Sequence, residues 1–132
     1  MSVELEFIQK PSYLHVKIYG LNTEKDIFTY AEEMRKECSK RNCYRLLVEE
    51  NLQGPRMKAI QVYNVISKIS EHFRGIFQQI AYVDINRKDD ILKFEEDLAN
   101  DRGLPLRVFT TVKEAENWLM DTENKINNNE NK

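Results

Sequence analysis

Leu46-Leu47-Val48, entered from Tyr44-Arg45 and closed by Glu49-Glu50-Asn51, is the stretch that decides the fold. Three apolar residues in succession, without the alternation of a half-solvated strand, predict a central strand covered on both faces. Helical patterns flank it on either side. Upstream, Ile27, Ala31, Met34 and Cys38 recur at helical spacing with Tyr30 beside them, behind Thr23 and Asp26 placed like a capping box. The last turns of that helix carry Arg35, Lys36, Lys40 and Arg41, where positive charge complements the helix dipole. Downstream, Gly54-Pro55 punctuates the chain, with Pro55 suited to a first helical position. From Met57 to Phe73, the residues Ile60, Tyr63, Ile66, Ile69 and Phe73 trace one helical face, widened by Ala59, Val62 and Val65. A helix this apolar is either deeply buried or offers a surface to something else.

Further out, Val3-Glu4-Leu5-Glu6-Phe7 and Leu14-His15-Val16-Lys17-Ile18 alternate polar and apolar residues, and too few residues separate them for a parallel crossover. They predict an antiparallel hairpin. Toward the other end, Ile80-Ala81-Tyr82-Val83 is a second buried strand. Asp89 or Asp90 then caps a helix with Ile91, Phe94 and Leu98 inward, and Gly103 stops it. Leu106-Arg107-Val108-Phe109 is the last strand, and Thr111-Val112-Lys113-Glu114 is a capping box opening a helix packed through Ala115, Trp118 and Leu119. The order β-β-α-β-α-β-α-β-α gives an α/β sandwich of two layers and more: a mixed sheet whose N-terminal hairpin is followed by parallel strands, with helices on both faces. Residues 1–121 form one domain. From 122 to 132 the apolar pattern fades and five of the last nine residues are Asn, which predicts a disordered tail.

Composition narrows the function. The 132 residues hold 20 Lys+Arg against 22 Asp+Glu, too even a balance to favour nucleic acid or an anionic membrane. No run of about 18 apolar residues exists to span a bilayer. Met1 to Glu6 lacks the basic and apolar regions of a secretory leader, so a cytoplasmic location is expected. The 4 Gly are too dispersed for a phosphate loop, and the 2 Cys lack a Cys-x-x-Cys spacing. Cys38 falls on an apolar helix face and reads as core. Neither His15 nor His72 has a sequence neighbour that suggests a triad.

The hairpin start, Leu46-Leu47-Val48-Glu49, Ile80-Ala81-Tyr82-Val83, Arg102-Gly103, Arg107-Val108-Phe109 and Glu114-Ala115-Glu116-Asn117-Trp118-Leu119 together resemble the SpoIIAA-like group of bacterial STAS domains, related in fold to CRAL-TRIO domains. The resemblance covers roughly residues 3–120 and implies a small regulatory or protein-binding module of a bacterium. In STAS members an Asp-Ser pair follows the third strand, and phosphorylation of the serine controls docking. The matching stretch, Glu49 to Arg56, holds no Ser or Thr, nor does any position from Lys40 to Ile66, so that switch does not carry over.

The expectation is therefore a non-catalytic interaction module without cofactor or resident metal, meeting a protein partner or a second copy through Glu50, Asn51, Gln53, Arg56, Met57, Val62 and Tyr63. The alternative is a binder of a small apolar or lipid-like ligand in a groove at the carboxyl ends of the strands, where parallel sheets place their sites, using Glu49, Asp84, Asn86, Phe73 and Phe77. A third and least favoured reading is an enzyme using Glu49, Glu50 and Asp84 on a divalent cation, which prefers oxygen ligands. Against it, the spacing lacks the dense pattern of a calcium loop.

Overall fold

A computed structural model of the chain describes residues 3–21, 23–54, 57–86 and 90–130, with side chains from residue 4 to residue 121. Nine elements follow in order: β1 (Val3–Gln9), β2 (Leu14–Leu21), α1 (Glu24–Arg41), β3 (Arg45–Gln53), α2 (Ala59–Phe73), β4 (Gln79–Asp84), α3 (Ile91–Asp101), β5 (Leu106–Phe109) and α4 (Val112–Glu130). The mixed α/β architecture is the one the periodicities predict. β1 and β2 pair antiparallel, and β2, β3, β4 and β5 then pair in parallel, side by side in chain order.

That strand order decides where the helices go. Each crossover steps the same way across the sheet, so right-handed connections put α1, α2 and α3 on one face. Leu14, Val16 and Ile18 of β2, Leu46 and Val48 of β3 and Ile80 of β4 point to that face and pack with Ile27, Met34, Val62, Val65 and Phe73 in the main core. The alternate residues Leu47, Ala81 and Val83 point the other way, against Tyr13 and against Ala115 and Leu119 of α4. Arg45 ties α4 down: its guanidinium donates to the Leu119 and Ser12 carbonyls, and to the Gln79 side chain at 2.9 Å.

The helix boundaries follow local chemistry. Thr23 caps α1 by accepting from the Asp26 N–H at 3.1 Å, and Asn42, at φ 51°, ends it in the left-handed region. Thr111 accepts from the Glu114 N–H at 3.2 Å, as its capping box predicts. α2 begins at Ala59, after a Lys58 cap, two residues inside the start that the apolar pattern gives; Pro55 lies outside the described residues. In α3, Leu92, Leu98 and Ala99 are buried while Phe94 is exposed, so the inward stripe lies one position round from the predicted one. Asp90 is its N-cap without a side-chain bond, and Asp89 is outside the described residues. The backbone of α4 is helical as far as Glu130, where Asn-rich composition predicts a frayed tail, because extending a formed helix fixes one residue for each hydrogen bond gained.

The edge strand β5 has its outward backbone covered. The Val108 N–H donates to Glu96 Oε2 at 2.8 Å, and the Leu106 carbonyl accepts from Asn100 Nδ2 at 2.7 Å, both side chains coming from α3.

Candidate functional site

The face under α1, α2 and α3 is not completely filled. A cavity of about 100 Å³ lies between β3, β4 and the three helices, walled by apolar side chains including Met34, Val48, Val62, Val65, Ile69 and Phe77. β3 explains the polar exception. Its ladder runs to Gln53, so Glu50 has the same parity as Leu46 and Val48 and is carried inward with them. Glu50 is only 3% exposed. Its carboxyl group accepts from two phenols, Tyr30 on α1 at Oε2 and Tyr82 on β4 at Oε1. Asp84 and Glu95 also line the cavity.

Burial dominates the electrostatics here. It pushes the Glu50 carboxyl up to about 7, against the pull of the two phenol hydrogen bonds and with the Asp84 charge adding to the rise. Burial likewise holds both tyrosines well above the ordinary phenol range, reinforced by the Glu50 charge, so each keeps its proton and donates it. The arrangement is a proton-accepting group on the wall of a mostly apolar hole.

The residues expected to meet a partner separate. Glu50, Met57 and Val62 are buried, and Met57 and Val62 wall the cavity. A charge placed at Val62 would therefore disturb the core rather than report on an interface. Asn51 is half-buried, Gln53 is exposed beside it at 3.3 Å, and Tyr63 is exposed on the outer side of α2. Arg56 lies outside the described residues. Ile60, on the apolar face that the sequence pattern traces, is 64% exposed.

The residues expected to touch a ligand also divide. Asp84 and Phe77 line the cavity, whereas Phe73 is fully buried behind it with its ring 6.0 Å from that of Phe77. Asn86 works at the rim, donating to Asn51 Oδ1 and to the Leu52 carbonyl and so tying the ends of β3 and β4 together. Glu49 faces the other side of the sheet, 2.9 Å from His15 Nε2. Among the described residues, no three His, Cys, Asp or Glu side chains converge where a metal ion would sit. Glu49, Glu50 and Asp84 in particular straddle the sheet.

Tyr30, Tyr82 and Glu95 are the members that sequence reasoning missed. A tyrosine inside an apolar strand needs a hydroxyl partner when buried, and that requirement is the signal Tyr82 carried.

A solved structure with the same architecture is that of an uncharacterized protein of the DUF3478 family from Shewanella loihica PV-4, described as having a SpoIIAA-like fold. The two superpose with a TM-score of 0.57 over 89% of this chain and 94% of that one. The fold is SpoIIAA-like. Identity is 12%, so the likeness carries the SpoIIAA-like fold and nothing of activity. No family model and no curated protein matches the sequence. No helix among the described residues is long and apolar enough to cross a membrane.

Proposed function

We propose that the protein is a non-catalytic binding module that takes up a small apolar molecule between the sheet and helices α1 to α3. The observation that carries this reading is the cavity of about 100 Å³ reaching the carboxyl-terminal halves of β3 and β4. Natural cores are packed to crystal density, and an apolar hole of about 150 Å³ accepts benzene or xenon. A hole of this size suits a guest of about four or five heavy atoms. Burial pushes the Cys38 thiol up to about 12, which leaves it a protonated core group rather than a nucleophile. A cytoplasmic location is part of the same proposal, and the free thiols Cys38 and Cys43 are compatible with its reducing conditions.

Xenon tests the cavity itself. Methyl NMR signals of Met34, Val48, Val62 and Val65 are expected to shift saturably under xenon pressure and to lose that response in Val48→Ile, which adds a methylene to the hole. Shifts that grow linearly, or that are equal in the variant, would sink the proposal.

A regulatory or protein-docking role, as in better-known domains of this fold, has support from the outer side of α2. Ile60 is 64% and Tyr63 42% exposed, and Arg102 lies over the Tyr63 ring at 4.9 Å from its centre. With no Ser or Thr between Lys40 and Ile66, such docking would not be switched by serine or threonine phosphorylation there. Ile60→Glu, which leaves the core untouched, is the fitting probe, read by sedimentation.

A further inference from the structure

The cavity's chemistry narrows the guest further. Groups that titrate face it from several elements: Tyr30 from α1, Glu50 from β3, Tyr82 and Asp84 from β4, and Glu95 from α3. α2 offers only apolar side chains, and among the described lining residues none is Lys, Arg or His. All the charge that the described wall can bear is negative.

Glu50 is the group that matters. An ionised carboxylate has about four acceptor positions on its two oxygens. The two phenols fill one on each oxygen, which leaves two. Each phenol oxygen, while its O–H donates to Glu50, keeps acceptor capacity of its own. The cluster is thus a buried set of acceptors with no cation on the cavity wall among the described residues. Binding a carboxylic acid there would set two like charges together in a low-dielectric site. An alcohol would use one acceptor, whereas an ammonium group brings three donors and the compensating charge.

We infer that the cavity selects small apolar amines, with the ammonium seated on the Glu50 carboxylate between the Tyr30 and Tyr82 hydroxyls and the hydrocarbon among Met34, Val48, Val62 and Val65. This inference rests on the binding reading proposed above and names its ligand class.

The test compares near-isosteric probes, isobutylamine, isobutanol and isobutyrate, by methyl NMR titration of the full chain. At pH 8.5 the amine is expected to bind about tenfold more tightly than the alcohol, as a charge-assisted hydrogen bond does relative to a neutral one. Isobutyrate is expected to give no saturable shift. At pH 5.5, with Glu50 protonated, the amine should lose its advantage. Glu50→Gln should remove that advantage at pH 8.5 while leaving the alcohol bound. Should that variant fail to fold, the wild-type pH profile decides alone. Equal binding of amine and alcohol at pH 8.5, or an amine preference that survives in Glu50→Gln, overturns the inference while leaving the binding module intact. If xenon and all three probes fail to saturate, the binding module falls and the inference with it.

Discussion

Glu49 and Glu50, joined by one peptide bond, serve opposite faces of the sheet. Glu49 pairs with His15 at 2.9 Å on the side of Leu47, and Glu50 holds two phenols on the side of the cavity. The same residue type twice in a row thus meets two environments, and burial in the second raises the proton affinity of Glu50.

The first prediction is a pH dependence of stability. The folded Glu50 carboxyl, at about 7 against an ordinary 4.5, binds its proton more tightly than the unfolded chain does. Stability is therefore greatest below the unfolded value and falls as pH rises through about 7, where the buried group must ionise. The loss is on the order of 2–3 kcal/mol. Urea denaturation from pH 5 to pH 8.5 measures it. Glu50→Gln, which cannot ionise, should flatten that slope, and a slope unchanged in the variant would assign it elsewhere.

Removing one phenol hydroxyl should be costly because it strips the buried carboxyl of a donor. Tyr30→Phe and Tyr82→Phe are each expected to destabilise by about 1–3 kcal/mol at pH 8. The cost should shrink when either is combined with Glu50→Gln. A double-mutant cycle by chemical denaturation reads this coupling directly, and additive costs would mean the hydroxyls act independently of Glu50.

Filling the hole should do the reverse. Val48 is 2% exposed on the cavity wall in a strand, where Ile is at ease. Val48→Ile should leave the fold intact and raise stability by up to about 1 kcal/mol, the worth of one buried methylene. A loss instead of a gain in thermal unfolding would show the wall already packed tight.

Gly103 has φ +85°, and a Cβ there would stand 2.9 Å from Arg74 Cδ. The arginine side chain can swing aside, but the left-handed backbone cannot be relieved. Gly103→Ala should therefore cost about 1 kcal/mol, visible as a lowered denaturation midpoint with the same slope.

The elements were legible because their periods differ. Alternation in β1 and β2, the apolar runs in β3 and β4, and the capping residues Thr23 and Thr111 are local signals that the folded chain obeys. The site was less legible. Parity with Leu46 and Val48 puts Glu50 inside, whereas its charge argues for the rim, and only a strand continuing to Gln53 settles the conflict. In α3, Ile91, Phe94 and Leu98 make the better apolar stripe on paper, yet Glu95 turns to the cavity and Phe94 to solvent. The cavity is a property of three helices meeting one sheet, so no local pattern encodes it.

The side-chain cover on β5 also bears on assembly. Glu96 and Asn100 occupy the Val108 and Leu106 backbone groups that an added strand would need. β1, the other border, has a strand on its inner side only. Strand addition is thus one-sided. Two copies joined border to border through β1 would leave only the covered β5 borders at the ends, so edgewise growth of this sheet stops at a pair rather than running on into a filament.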